Sequence, residues 1–307
     1  MESHVYHIPV MLMPSVDGLN IKRSGIYVDV TLGGGGHSRE ILRRLGSDGR
    51  LFSFDQDADA IREALGRQGS DNDERWTLVL SNFRYLKNWM NYYGVDGIDG
   101  LLADLGVSSH HFDEAERGFS FRTDAALDMR MNQQAQKTAA EVVNTYAPDQ
   151  LASLFQIYGE LKQAARLADT IVRARQRQEI KTTGQLADLL MPLLPPPSAK
   201  KDLARAFQAL RMEVNHEMDA LREMLISATE LLRPGGRLVV MSYHSLEDRM
   251  VKNLMRAGNI EGAVKTDVYG RLQSVLRPVG KPVIPLEEEV EQNPRSRSAK
   301  LRVAEKA

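Results

Sequence analysis

Val28-Asp29-Val30-Thr31-Leu32-Gly33-Gly34-Gly35-Gly36-His37-Ser38 joins an apolar run to a segment of helical spacing. Four consecutive glycines at such a junction let the backbone approach a ligand closely and set amide donors at a helix N-terminus. Gly25 to Val30 reads as a strand, and Ser38 to Leu45 as a helix that stops at Gly46. A second strand, Arg50 to Phe54, ends at Asp55. The segment Asp57 to Leu65 reads as a helix, Thr77 to Leu80 as a strand, Phe83 to Tyr93 as a helix and Ile98 to Ala103 as a strand. Strands alternating with helices in this way predict an α/β fold, a parallel sheet covered by helices.

After about Ser108 the alternation stops. Helical stretches follow at Thr138 to Tyr146, Asp149 to Tyr158, Leu161 to Gln178 and Thr183 to Leu190. A strand pattern returns only at Arg237 to Met241, after Leu232-Arg233-Pro234-Gly235-Gly236. The expected organisation is one α/β domain in two parts, residues 1–111 and 210–307, interrupted by an all-helical insertion at 112–209. Leu301-Arg302-Val303 reads as a last strand.

The composition narrows the chemistry. In 307 residues, 40 Lys and Arg oppose 41 Asp and Glu, so a polyanion would have to meet a local basic face rather than the whole surface. Residues 160–211 supply one candidate, with ten Lys/Arg against five Asp/Glu. The alternative for such a run is an ordinary solvated helix face. The lack of any cysteine excludes disulfides, thiolate metal sites and cysteine nucleophiles together. Seven scattered histidines without an HExxH pair give no reason to expect a metal. No apolar run approaches the ~18 residues needed to cross a bilayer. Residues 1–7 lack the basic start and apolar core of a secretory signal, so the cytoplasm is the expected location, with no membrane partner.

Asp55 follows the glycines by about twenty residues, at a strand end, from which a carboxylate accepts hydrogen bonds from ribose hydroxyls. Loop and acid together predict a nucleoside cofactor. Two remain open, because Gly33-x-Gly35-x-x-Ser38 nearly meets the dinucleotide fingerprint of an NAD-dependent oxidoreductase. Asp29 ahead of the glycines would repel a pyrophosphate and suit the ammonium of S-adenosylmethionine. The phrase from Leu232 to Leu238 leads into its strand as in class I methyltransferases. Asp104 ends the fourth strand beside Ser108 and Ser109, and Ser242 to Arg249 follows the fifth; both are strand ends that carry substrate groups in this fold. Ser245 to Asp248 fits a helix N-terminal capping box. Arg117 to Phe121 and Leu127 to Met131 mix polar and apolar residues without period, as in a loop covering a site. Phe112, Phe119, Phe121 and Tyr243 are candidates to stack on a base.

The runs GGGGHS, FDQD, DLGVSS, ERGFSF, LDMRM, FQALR, SYHSLEDR and NPRSRSAKLR, in this order between His7 and Glu305, resemble the bacterial small-subunit ribosomal RNA cytosine-N4 methyltransferases, the RsmH (formerly MraW) family. The resemblance implies a class I, Rossmann-like S-adenosylmethionine-dependent domain. It also implies methylation of the exocyclic N4 amine of one cytidine in the decoding region of 16S rRNA, within the small ribosomal subunit. Carried over by position, Gly35, Gly36, His37, Asp55, Phe83, Asp104 and His111 would bind the cofactor. The family commonly has glutamine where this chain has His111, and an imidazole lacks an amide's paired donor and acceptor. Asp104 and His244 are the catalytic candidates, and Ser108 and Ser109 the substrate-binding ones. The helical insertion corresponds to the family's smaller domain, which is implicated in holding RNA. Methylation of pyrimidine carbon 5 normally needs a cysteine nucleophile and is excluded here; an exocyclic amine needs only in-line attack on the sulfonium methyl. A non-catalytic RNA-binding or assembly factor on the same fold is the remaining rival reading.

Overall fold

The computed structural model describes residues 9–68, 73–106, 117–264, 266 and 274–307. Its strands are apolar on both alternations, which requires cover on both faces of the sheet. Strands β1 (Ile26–Asp29), β2 (Arg50–Asp55), β3 (Trp76–Leu80), β4 (Ile98–Asp104) and β5 (Leu232–Ser242) run parallel in the order β3-β2-β1-β4-β5. Strand β7 (Lys300–Lys306) then pairs antiparallel with β5, and β6 (Leu276–Pro278) antiparallel with β7. The full order, 3-2-1-4-5-7-6 with β7 reversed, is that of the class I methyltransferase fold expected from the sequence.

Val28, Phe52, Phe54, Leu101, Leu238 and Val240 point to one face. There they pack on Leu86 and Met90 of α4 (Leu86–Tyr92), Leu221 and Leu225 of α10 (Glu217–Leu231), and Val251 and Leu254 of α11 (Ser245–Ala257). Their chain neighbours Tyr27, Leu51, Leu102, Val239 and Met241 point to the other face. They meet Val16 of α1 (Leu12–Gly18), Ile41 of α2 (Gly36–Arg44) and Ala64 of α3 (Ala58–Gln68). A one-residue slip of any strand would exchange the two faces, so this double burial fixes the register.

The chain divides into two units, Met1–Gly106 with Met218–Ala307, and Val107–Glu217. The second is built from α5 (Ala139–Thr145), α6 (Pro148–Ile157), α7 (Ala164–Arg175), α8 (Thr183–Leu190) and α9 (Ala199–Val214). Val142, Leu151, Phe155, Leu167, Ile171, Leu186, Leu203, Phe207 and Leu210 make its core. The unit extends past the expected boundary at 209 because α9 is continuous and commits Leu210 and Val214 to that core.

Three expectations change. The phrase Arg233-Pro234-Gly235-Gly236 lies inside β5 rather than ahead of it. Its pairing with β4 jumps from Ile98 opposite Leu232 to Gly100 opposite Arg237, with Gly235 at a φ of 75°. The segments Arg117 to Phe121 and Leu127 to Met131 are not a cover loop: Phe119, Leu127, Met129 and Met131 are buried in the core of the helical unit. Gly118 there has a φ of 71° and a hypothetical Cβ only 2.1 Å from the Ala126 carbonyl, so the chain can pass only as glycine. Finally, His244 rather than Ser245 caps α11.

Candidate active site

The carboxyl ends of β1, β2, β4 and β5 lie side by side, and the chain leaving each carries polar residues. After β1 the glycine loop turns sharply into α2, with Gly33 and Gly35 at φ 47° and 72°. Asp55, the last residue of β2, is tied to that turn: its Oδ2 accepts from the Gly33 amide at 2.9 Å and its Oδ1 from the Asp57 amide at 2.9 Å. Among the described residues, nothing lies within 4 Å of where a Cβ on Gly33 would stand. Open space over a glycine backbone, bordered by a carboxylate that can accept further hydrogen bonds, fits the ribose end of a nucleoside. Phe83 begins the turn that follows β3 and is half-buried against the sheet core.

Asp29 is enclosed by protein atoms rather than open to the space over the glycines. It is fully buried, its Oδ2 accepting from the Ser38 hydroxyl at 2.6 Å and its Oδ1 from the Thr31 amide at 3.1 Å and hydroxyl at 3.4 Å. Burial pushes its carboxyl above the ordinary range, and the His37 ring, Ser38 and Thr31 pull against that. Its role is to brace the loop, so the expected electrostatic choice between cofactors does not come from this residue.

Asp104 ends β4 and is held at three points. Its amide donates to Thr31 Oγ1 at 2.7 Å, its Oδ1 accepts from the Tyr243 hydroxyl at 2.8 Å, and its Oδ2 faces His37 Nδ1 at 4.0 Å. His37 Nε2 lies 3.2 Å from the Val10 carbonyl, which can only accept, so Nε2 carries the proton. Burial pushes the Asp104 carboxyl up to about 6; His37 and the Tyr243 hydroxyl lower it, and Asp29 and Glu247 raise it. A carboxylate near 6 is ionised at neutral pH yet basic enough to take a proton.

Beyond β5, Tyr243 and His244 lead into α11. Glu247 Oε2 accepts from the Tyr243 amide at 2.9 Å, and His244 Nδ1 accepts from the Glu247 amide at 3.4 Å. His244 is thus engaged in capping. Of the expected base-stacking residues, Phe119 is core and Phe121 packs edge-on against Phe207 at 5.3 Å, while the Tyr243 ring is turned to Asp104. Ser108, Ser109, His111 and Phe112 lie outside the described residues. Gly35, Gly36, His37, Asp55 and Asp104 are brought to one edge of the sheet. The sequence reading missed Thr31, which joins Asp29 to Asp104, and the hydroxyl of Tyr243. The Asp-x-Thr spacing at Asp29 to Thr31 is a local signal for the first, whereas nothing local pairs residues 104 and 243.

Curated relatives carry the name ribosomal RNA small subunit methyltransferase H. The chain is similar to those of Bacteroides thetaiotaomicron, 59% identical over 98% of this chain and 97% of that protein, and Bacteroides fragilis, 58% identical over 99% of each. That of Phocaeicola vulgatus is 58% identical over 98% of each chain. The sequence model of the MraW methylase family matches residues 4–307, and the chain belongs to that family, with S-adenosylmethionine as its methyl donor.

Proposed function

We propose that this methylase acts on the RNA of the small ribosomal subunit, methylating the exocyclic N4 amine of a cytidine in the decoding region of 16S rRNA. The observation that carries this reading is the placement of Asp104. One half-buried carboxylate, ionisable near neutrality, stands beside the glycine loop at the strand end from which this fold addresses its acceptor. S-adenosylmethionine supplies an electrophilic methyl: as the amine lone pair forms the nitrogen–carbon bond, the carbon–sulfur pair stays with sulfur. Asp55 and the loop amides hold the nucleoside end, and Asp104 draws a hydrogen of the attacking amine and so frees its lone pair. Without cysteine the chain has no nucleophile for carbon 5 chemistry, which favours the amine.

The acceptor base has to leave its stack to reach such a site. For the flanking phosphates, the helical unit offers exposed Lys162, Arg166, Arg173 and Arg177 along α7 and its two ends. Arg166 and Arg173 are two turns apart on one face, which they share with Asp169. Elsewhere on the unit Lys181, Arg205 and Arg211 are paired with Glu179, Asp202 and Glu217.

The test is to incubate the protein and labelled S-adenosylmethionine with small subunits from cells lacking the modification, then digest the RNA to nucleosides. Label in N4-methylcytidine is expected, and its loss with Asp104→Asn. Label in another nucleoside, or in protein alone, overturns the reading.

A further inference from the structure

Tyr243 is fixed more completely than an aromatic waiting for a base would be. Its amide donates to Glu247 Oε2 within the capping box of α11. Its ring lies over Gly106, where an added Cβ would stand 3.0 Å from the Tyr243 ring carbon Cδ2. With a φ of 131°, Gly106 is in a conformation that side chains rarely adopt, so the chain leaves β4 without any group that would displace the ring. Among the described residues the hydroxyl then has one acceptor, Asp104 Oδ1 at 2.8 Å. Burial and the neighbouring Asp104 carboxylate both push the phenol far above its ordinary range, so it remains a donor at any working pH.

A carboxylate on a short side chain can turn about its last bond, and each orientation offers a different lone pair. Here the backbone is fixed by Thr31 Oγ1 and one oxygen is claimed by the phenol, so the other, Oδ2, is left on the His37 side. We propose that Tyr243 is a positioning residue: its hydroxyl, donated to Asp104 Oδ1, orients the carboxylate so that Oδ2 is the atom that takes the proton leaving the methylated amine. This rests on the methyl-transfer reading above. The methylated nitrogen loses one proton with its bonding pair retained, Oδ2 gains it, and the Tyr243 O–H bond is unchanged throughout.

Tyr243→Phe keeps the ring over Gly106 and removes only the donor. Among the described residues, the charged and titratable groups facing Asp104 are His37 from α2, Asp29 from β1, Glu247 from α11 and Tyr243 itself, with Glu289 near the phenol. Only the phenol changes in this variant. Loss of a donor to the ionised form favours the protonated acid, so the carboxyl midpoint should rise by about one pH unit. Two measurements on the full chain test this. The first needs neither cofactor nor RNA: the infrared carbonyl band of protonated Asp104, identified by its disappearance in Asp104→Asn, is titrated with and without the phenol. The second is the pH profile of single-turnover methyl transfer to unmodified small subunits. A rise from about 6 to about 7 costs about threefold in rate at about pH 6.5 and nothing measurable at about pH 9. An unmoved infrared midpoint overturns the proposal, and so does a loss of equal size at every pH, which would mark a packing role. If the band moves but the wild-type protein labels no small-subunit RNA, the substrate reading fails and the Tyr243–Asp104 orientation stands.

Discussion

Gly36→Ala sets two opposed effects against each other. Gly36 is the first residue of α2, and alanine is the better helix former by up to ~1 kcal/mol. Propensity alone therefore forecasts a gain. A Cβ at this position, however, would stand 2.1 Å from Pro9 Cγ, 3.2 Å from its Cδ and 3.3 Å from its Cβ. A proline ring has no rotamer that clears the space, so the backbone at residues 9–10 has to move. Overpacking of this kind costs about 1–3 kcal/mol. The displaced segment also carries Val10, buried in the sheet core, whose carbonyl bonds His37 Nε2 at 3.2 Å; losing that bond adds about 1 kcal/mol. Packing outweighs propensity, and a net loss of about 1–3 kcal/mol is expected. Denaturant unfolding followed by tryptophan fluorescence reads it cleanly, because both tryptophans, Trp76 and Trp89, lie in the sheet unit. A midpoint equal to or above that of the wild type would refute the reasoning.

Gly33→Ala has no clash to meet, so only its left-handed φ of 47° costs stability, about 1 kcal/mol. It fills the space next to Asp55, and calorimetry with S-adenosylhomocysteine should show affinity weakened about tenfold or more; unchanged affinity would place the ligand elsewhere. Asp248 accepts from Arg302 at 2.7 and 3.2 Å and from Lys300 at 3.1 Å, joining α11 to β7. Burial alone would raise its carboxyl, but the two cations hold it below the usual range. Its contribution is therefore present above the unfolded-state value of ~4 and is lost as pH falls through the lower folded value. Asp248→Asn should cost about 1–3 kcal/mol at neutral pH, and the gap to wild type should close in acid. Replacing Lys162, Arg166, Arg173 and Arg177 by glutamate should weaken RNA binding and flatten its dependence on log salt by ~1 for each phosphate no longer neutralised; an unchanged slope would remove this face from the interface.

The sheet unit was legible because its signals are local. Apolar runs, a glycine loop and a carboxylate at a strand end each occupy a few neighbouring residues, and β1 to β4 fall within a residue or two of their expected limits. What was not legible depends on pairing across the chain. The segments Arg117 to Phe121 and Leu127 to Met131 look exposed in sequence because their apolar residues have no period, yet these are buried by partners from helices far along the chain. The residues that shape the candidate site behave alike. Asp29 carries a charge that reads as ligand-facing until Ser38 and Thr31 are seen to close around it, and Tyr243 meets Asp104 only once β5 lies beside β4.

The insertion between β4 and β5 has a consequence for biosynthesis. A ribosome delivers β4 with its open side unpaired, then the entire helical unit, and only afterwards the strand that covers that side. The helices, whose core partners all lie within the inserted unit, are free to condense during this interval. The apolar edge of β4 meanwhile waits, and a nascent chain stalled before Leu232 exposes it to any other extended segment nearby.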